Sequence, residues 1–298
     1  MAAAEPQPAA GAAPAITGGW DAHLHVFDGR PLPDAHYQAP ACTLAAWAGL
    51  AQPQGIYRAL LVQPSVYGAD NGLLLQALAD QPGRHRGVVV LAGDESDAQL
   101  DRMADAGVRG VRLNLVSRPG TVAELHSATT PYSATATATD SDPLLRWLAP
   151  RLRARGWFAQ WYLGPAQWLA VARWSARQRI LPVLDHLAGV TPTVWAAGGA
   201  ARALAPLADA GGWLKLSGWY RLQAEPPYDA LLPAVQGLHR VFDGRCLWGS
   251  DWPHTRFMEQ DPSAAPPAYA SLLAPLQAAL GPAAAGAVLH HMPARLLG

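Results

Sequence analysis

Three short patterns carry residue types able to move protons or hold a metal. The first is Asp21-Ala22-His23-Leu24-His25. On a strand, side chains two residues apart share a side, so His23 and His25 project together. Two adjacent imidazoles are either half of a metal site or a pair for proton transfer and carbonyl polarisation. The second is Asp185-His186, at the end of the apolar run ILPVLD. The third is Leu247-Trp248-Gly249-Ser250-Asp251-Trp252-Pro253-His254. Asp251 directly follows an apolar run, and Trp248 and Trp252 would form an apolar wall around it. Partial burial would then raise its pKa toward that of a useful base.

Such residues need a scaffold that gathers strand ends. Eight short β-prone runs fit: Trp20–His25, Ile56–Gln63, Gly87–Leu91, Val108–Leu115, Trp157–Leu163, Ile180–Asp185, Trp213–Ser217 and Cys246–Ser250. Helix-compatible stretches lie between and after them, at Asp70–Asp80, Asp97–Ala106, Pro143–Arg155, Gln167–Arg177, Thr193–Leu207, Asp229–Val241 and Tyr269–Leu280. Asp142-Pro143 supplies an N-cap followed by proline at the first helical position. Repeated strand–helix units predict an α/β fold with a parallel sheet. Eight units in a chain of 298 residues predict closure into a (β/α)₈ TIM barrel, with an open doubly wound sheet as the alternative. Histidines and carboxylates at the C-terminal ends of barrel strands sit where such barrels do chemistry.

Composition narrows the classes. The chain has 22 basic and 22 acidic residues, so its formal net charge is zero. A nucleic-acid binder would be basic, so none is expected as a partner. Half the residues are hydrophobic, which excludes disorder over most of the length. No apolar run approaches the roughly 20 residues that span a bilayer, so no membrane is expected. Two distant cysteines, Cys42 and Cys246, point to a reducing compartment and a cytoplasmic protein. Residues 1–17 are Ala/Pro-rich and read as a flexible, disordered tail before a barrel over 18–298. Thr121–Ser141, rich in Thr, Ser and Ala, follows a strand end and reads as a substrate-contacting lid or an inert insertion. The sole lysine is Lys215. The chain is expected to work as a monomer or a homo-oligomer.

The combination of DxHxH, the DH after a middle strand and WGSDWPH resembles the amidohydrolase superfamily. It is most similar to the branch typified by 2-pyrone-4,6-dicarboxylate lactonase, from about Gly19 to the terminal PARLLG. The resemblance implies a (β/α)₈ barrel in which His23, His25, His186 and Asp251 are the catalytic set. It also implies that Arg112 on the fourth strand, Arg118 just beyond it and Arg221 after the seventh hold substrate carboxylates. Guanidinium groups suit that role, because they bind carboxylates in a bidentate fork. Tyr162 on the fifth strand matches a substrate-binding tyrosine, and Ser65 and Tyr67 after the second strand are further substrate contacts.

Where binuclear superfamily members carry a bridging Lys or Glu on the fourth strand, this chain has Arg112 and Asn114. A binuclear centre is therefore not expected, and no metal or other cofactor is expected to be required. The ligands of a single Zn²⁺, if one binds, would be His23, His25 and Asp251, with His186 as a further candidate. The implied reaction is hydrolysis of a carboxylated lactone, of the 2-pyrone-4,6-dicarboxylate or muconolactone kind. Asp251 would activate water, and the histidines would polarise the carbonyl. The alternative is metal-dependent non-oxidative decarboxylation of an aromatic or unsaturated acid.

Overall fold

A computed structural model of the chain describes residues 18–33, 35, 37–116, 142–255 and 265–298. The expected tail at 1–17, the insertion at Thr121–Ser141 and Arg118 lie outside the described residues. Eight parallel strands pair in chain order: β1 Gly19–Leu24, β2 Ile56–Val62, β3 Arg86–Val89, β4 Val108–Asn114, β5 Phe158–Tyr162, β6 Pro182–Leu184, β7 Trp213–Ser217 and β8 Cys246–Gly249. All eight match the sequence expectation within two residues at each end. The ring closes at a seam between β8 and β1. There the Asp251 N–H donates to the His23 carbonyl at 2.8 Å, and the His25 N–H to the Trp252 carbonyl at 2.8 Å. The fold is a (β/α)₈ barrel.

Strand alternation sorts the side chains into two layers. One set, including Leu61, Val89, Val111, Trp161, Leu214 and Trp248, packs against the surrounding helices. The other, including Trp20, Ala22, Leu60, Val62, Val88, Phe158, Val183, Trp213 and Leu247, fills the barrel interior with the C-terminal Leu297. Strict alternation from Trp20 and Ala22 would turn His23 outward. Instead β1 carries an extra residue between Asp21, paired with Ala59, and Leu24, paired with Leu61. This bulge shifts the parity, so His23 and His25 face inward and Leu24 faces the helices.

Asp21 therefore points into the helix layer, where it is fully buried. It accepts from Trp47 Nε1 at 3.0 Å, Tyr269 Oη at 2.9 Å, Ser250 Oγ at 2.5 Å and the Ser250 N–H at 2.9 Å. Burial raises its pKa against these donors. Trp47 belongs to a helix at Leu44–Ala51 that sequence periodicity did not show, since LAAWAGLA is apolar all round; Thr43 caps it by accepting from the Ala46 N–H. Two glycines are required at this end of the barrel. A Cβ on Gly249 would lie 2.5 Å from His23 Cβ, and one on Gly218 (φ 61°) would lie 2.4 Å from His186 Nδ1.

Two expectations are corrected. The helix expected over Thr193–Leu207 is two helices, Pro192–Ala196 and Ala200–Asp209. They are split at Gly198 and Gly199, whose φ values of 76° and 81° no helix continues through. The C-terminal helical run Tyr269–Leu297 spans 29 residues and is long and apolar enough, by length and composition, to cross a membrane. It is broken at Gly281 (φ 71°), and Leu272, Leu276, Ala279, Ala285 and Val288 pack into the core beside the barrel.

Replacing Asp21 by alanine leaves several buried donors unpaired at the seam. Asp21→Ala is expected to lose about 3 kcal/mol or more of unfolding free energy. Urea unfolding measures this, and a loss under about 1 kcal/mol would show that the seam holds without the carboxylate.

Candidate active site

His23, His25, His186 and Asp251 converge at the C-terminal ends of the strands, and all four are buried. The Oδ1 of Asp251 is their common point. It lies 3.5 Å from His23 Nε2, 3.5 Å from His25 Nε2 and 4.0 Å from His186 Nε2. Neither this Oδ1 nor His23 Nε2 has a hydrogen-bond partner among the described residues. The far nitrogen of each ring is held separately. His25 Nδ1 donates to the Val62 carbonyl at 2.7 Å, which leaves a lone pair on its Nε2. His186 Nδ1 lies 3.0 Å from Ser217 Oγ. The backbone here is strained: His186, Leu187 and Ala188 have φ values of 48°, 51° and 54°, Asp251 58° and His254 70°. Non-glycine residues persist in this left-handed region only where their surroundings enforce it.

The expected rise in Asp251's pKa is corrected. Burial does push it up, but Arg221 and the surrounding histidines hold it well below the usual carboxylate range. Arg221 Nε donates to Asp251 Oδ2 at 2.5 Å, and the Tyr220 hydroxyl donates to the same oxygen. Nor is Trp248 a wall over Asp251. It faces the helices, where its Nε1 donates to the Leu272 carbonyl. Burial lowers the pKa of His23, His25 and His186, the last to about 4, so all three imidazoles are neutral at pH 7.

The groups expected to bind substrate are spread around this point. Arg112 projects inward from β4, and its Nη1 donates to the Gln63 carbonyl at 2.8 Å. Its Nε is buried without a hydrogen-bond partner among the described residues. Tyr162, half-buried at the end of β5, sets its ring edge-on to His186 with centroids 5.2 Å apart. Arg221 is at the site, but it is engaged by Asp251 and by Thr255 Oγ1 at 2.7 Å. Ser65 and Tyr67 form a single turn after β2. Tyr67 is drawn aside: its hydroxyl donates to Asp28 Oδ1 at 2.6 Å, within a cluster with Phe27, Tyr37 and Val66. Its hydroxyl is thus engaged within this cluster.

Sequence reasoning missed Tyr220, which precedes Arg221 in the same SGWYR turn. It also gave no role to His254, whose ring stands edge-on to Tyr220 at 5.6 Å. Beneath His23 it missed a buried polar layer. Lys215 Nζ lies 2.7 Å from Gln160 Oε1, 3.3 Å from Asp185 Oδ1 and 3.2 Å from His23 Nδ1. Gln160 Nε2 donates to Asp185 Oδ2 at 3.1 Å. Burial lowers the Lys215 ammonium to about 8, with Asp185 opposing the fall. The one available signal was parity on the strands, since Lys215, Gln160 and Asp185 each alternate with outward-facing apolar residues.

His23, His186 and Asp251 could hold a metal ion, each offering one ligand atom within 4.8 Å of the others. His25 is not in this set, although its Nε2 also approaches Asp251. All three members of the set are among the expected ligands His23, His25, Asp251 and His186.

The sequence model of the amidohydrolase family matches residues 20–298. A 2-pyrone-4,6-dicarboxylate hydrolase of Comamonas testosteroni is 28% identical over 260 residues, covering 82% of this chain and 80% of its own. A 4-sulfomuconolactone hydrolase of Hydrogenophaga intermedia is 27% identical over 248 residues, covering 81% and 77%. A crystal structure from Pseudomonas putida, named for a candidate 2-pyrone-4,6-dicarboxylic acid hydrolase, superimposes with a TM-score of 0.74. It is 29% identical and covers 94% of this chain and 97% of its own. An amidohydrolase from Burkholderia multivorans, solved with zinc bound, shares the fold at a TM-score of 0.69 and 21% identity, over 94% of this chain and 99% of its own.

The neutral histidines make stability fall in acid. His85, His186 and His254 are each lowered to about 4 from an ordinary 6.5. As pH falls through 6.5 the unfolded chain takes up protons that the folded chain refuses, so stability is lost progressively down to about pH 4. Scanning calorimetry from pH 7 to 4 is expected to show Tm falling across that window, with net proton uptake on unfolding. A flat Tm would mean that these rings are already charged in the folded protein.

Proposed function

The chain belongs to the amidohydrolase family, and we propose that it is a hydrolase that opens a lactone bearing one or more carboxylates. The carrying observation is the ionised, buried Asp251 Oδ1 facing three neutral imidazoles, with Arg112 and Arg221 at the same end of the barrel. The names of the two relatives both denote lactones with anionic substituents, which suits those arginines. The two free cysteines, Cys42 and Cys246, suit the reducing cytoplasm in which catabolism of such compounds would run.

In the proposed mechanism a water lies against Asp251 Oδ1 and the lone pair of His25 Nε2. Asp251 takes a proton from it as the water oxygen bonds to the acyl carbon. His23 and His186 face the carbonyl oxygen and stabilise the negative charge that develops there. The ring C–O bond then breaks, and the proton on Asp251 passes to the leaving oxygen. Arg112 anchors a substrate carboxylate, Arg118 is assigned a second such contact, and Tyr162 and Ser65 orient the ring. Arg221 has two tasks. At rest it pairs with Asp251 and depresses its basicity. A substrate carboxylate that takes a share of the guanidinium relieves that pairing and moves Asp251 toward a stronger base.

The reaction is proposed to require no metal. His23, His186 and Asp251 are nonetheless chemically suited to hold one divalent ion such as Zn²⁺, which would supply carbonyl polarisation and a more acidic water.

The test is turnover of 2-pyrone-4,6-dicarboxylate and a panel of carboxylated lactones by the purified protein, before and after chelation. Turnover is expected to survive chelation. Asp251→Asn is expected to lower kcat roughly 10²–10⁴-fold in a folded protein. Arg112→Ala is expected to lower kcat/KM roughly 10–100-fold, for anionic lactones only. Near-full activity in Asp251→Asn would remove the base from the mechanism. Release of CO₂ from an unsaturated acid, with no lactone turned over, would replace lactone opening by decarboxylation.

A further inference from the structure

The two histidines of the HxH pair are held differently at Nδ1. His25 Nδ1 faces a backbone carbonyl, an acceptor only, so it must carry the proton. His23 Nδ1 faces Lys215 Nζ at 3.2 Å in hydrogen-bonding geometry. It is also 3.2 Å from Asp185 Oδ1, so the carboxylate competes with the ammonium for this nitrogen. An ammonium donates and never accepts. It is fixed here by Gln160 Oε1 at 2.7 Å and by Asp185 at 3.3 Å, in a layer with no exposed surface.

We propose that Lys215 is a positioning residue that sets the tautomer of His23, holding its proton on Nε2 and making the HxH pair one donor and one acceptor. His23 then presents Nε2–H toward Asp251 Oδ1 and the reacting carbonyl, while His25 presents a lone pair. One ring suits the developing oxyanion and the other suits the water. The same arrangement works against a metal at His23. A metal-bound imidazole offers its Nε2 lone pair and donates Nδ1–H to a carboxylate or carbonyl. Asp185 stands at the right distance to receive that proton, and Lys215 displaces it. The second-layer lysine thus biases the site toward hydrogen-bond chemistry and away from metal binding. This deepens the proposed role of His23 but does not depend on which lactone, or any lactone, is the substrate.

The experiment reads the rings directly. Long-range ¹H–¹⁵N correlation spectra of histidine-labelled protein at pH 7, assigned by single His→Gln variants, are expected to show His23 protonated on Nε2 and His25 on Nδ1. In Lys215→Met, His23 is expected to move its proton to Nδ1, against Asp185. Zn²⁺ affinity, from competition with a chromophoric chelator, is expected to rise about tenfold or more. Finding His23 protonated on Nδ1 in the unmodified protein overturns the proposal, and that measurement needs no variant to fold. So does a folded Lys215→Met protein whose His23 tautomer and Zn²⁺ affinity are unchanged. Neither readout uses substrate, so loss of the lactonase reading would leave both results standing.

Discussion

The barrel depends on its seam, and the seam depends on the Asp21 carboxylate. β1 and β8 share no continuous ladder, only the bridge between Leu24 and Trp252 and two backbone bonds. Asp21 stitches β1 to Ser250 on the far side and to Trp47 and Tyr269 in the layer outside. A buried charge is costly unless its lone pairs are filled, and here they are filled by groups from three separate stretches of chain. The same stretch of β1 carries the bulge. Asp21 outward and His23 inward are therefore one conformational fact. The residue that closes the barrel fixes the parity that aims both histidines at Asp251.

Above that seam the site's side chains are buried, and burial sets the direction of their pKa shifts. Burial strips charge from the imidazoles, while Arg221 keeps Asp251 ionised against the same burial. Beneath them the Lys215–Asp185 pair persists because Gln160 bonds both partners. Removing one partner of such a pair strands the other, which is why buried ion pairs are hard to alter singly. The strained backbone at His186 and Asp251 belongs to the same economy of space. Gly218 leaves no room for a side chain beside the His186 ring, and Gly249 leaves none beside His23.

Much of this was legible in the sequence because the informative features are local. Eight β-prone runs with turn residues between them indicated the strand count, and histidines or carboxylates at run ends marked the face where the candidate site lies. What stayed hidden was relational. The bulge in β1 cannot be read from DAHLH, whose alternation looks regular. The pairing of Arg221 with Asp251 joins residues 30 positions apart, and nothing in SGWYR distinguishes an arginine held by a carboxylate from one awaiting a substrate. Tyr67 followed a strand end, and its hydrogen bond to Asp28, in the short strand just after the first barrel strand, could not be read from the sequence. Lys215 was noticed only as the sole lysine. Its meaning came from the neighbours that β5, β6 and β1 supply.

Arg221 exposes a tension between holding a base and using it. An unpaired buried carboxylate would pick up a proton and be useless as a base at neutral pH. Pairing prevents that, but the guanidinium also lowers the basicity of Asp251. A fixed partner cannot resolve this, whereas a partner that the substrate can claim can. Arg221 contacts Asp251 through Nε and Thr255 through Nη2, so its grip is divided along the fork rather than closed bidentately on one carboxylate. An incoming anion can therefore compete for the guanidinium without first breaking a two-pronged bond. In the proposed mechanism the base would thus be kept ionised when the site is empty and gain basicity as the substrate's own charge arrives, which would tie activation of water to occupancy by an anionic substrate.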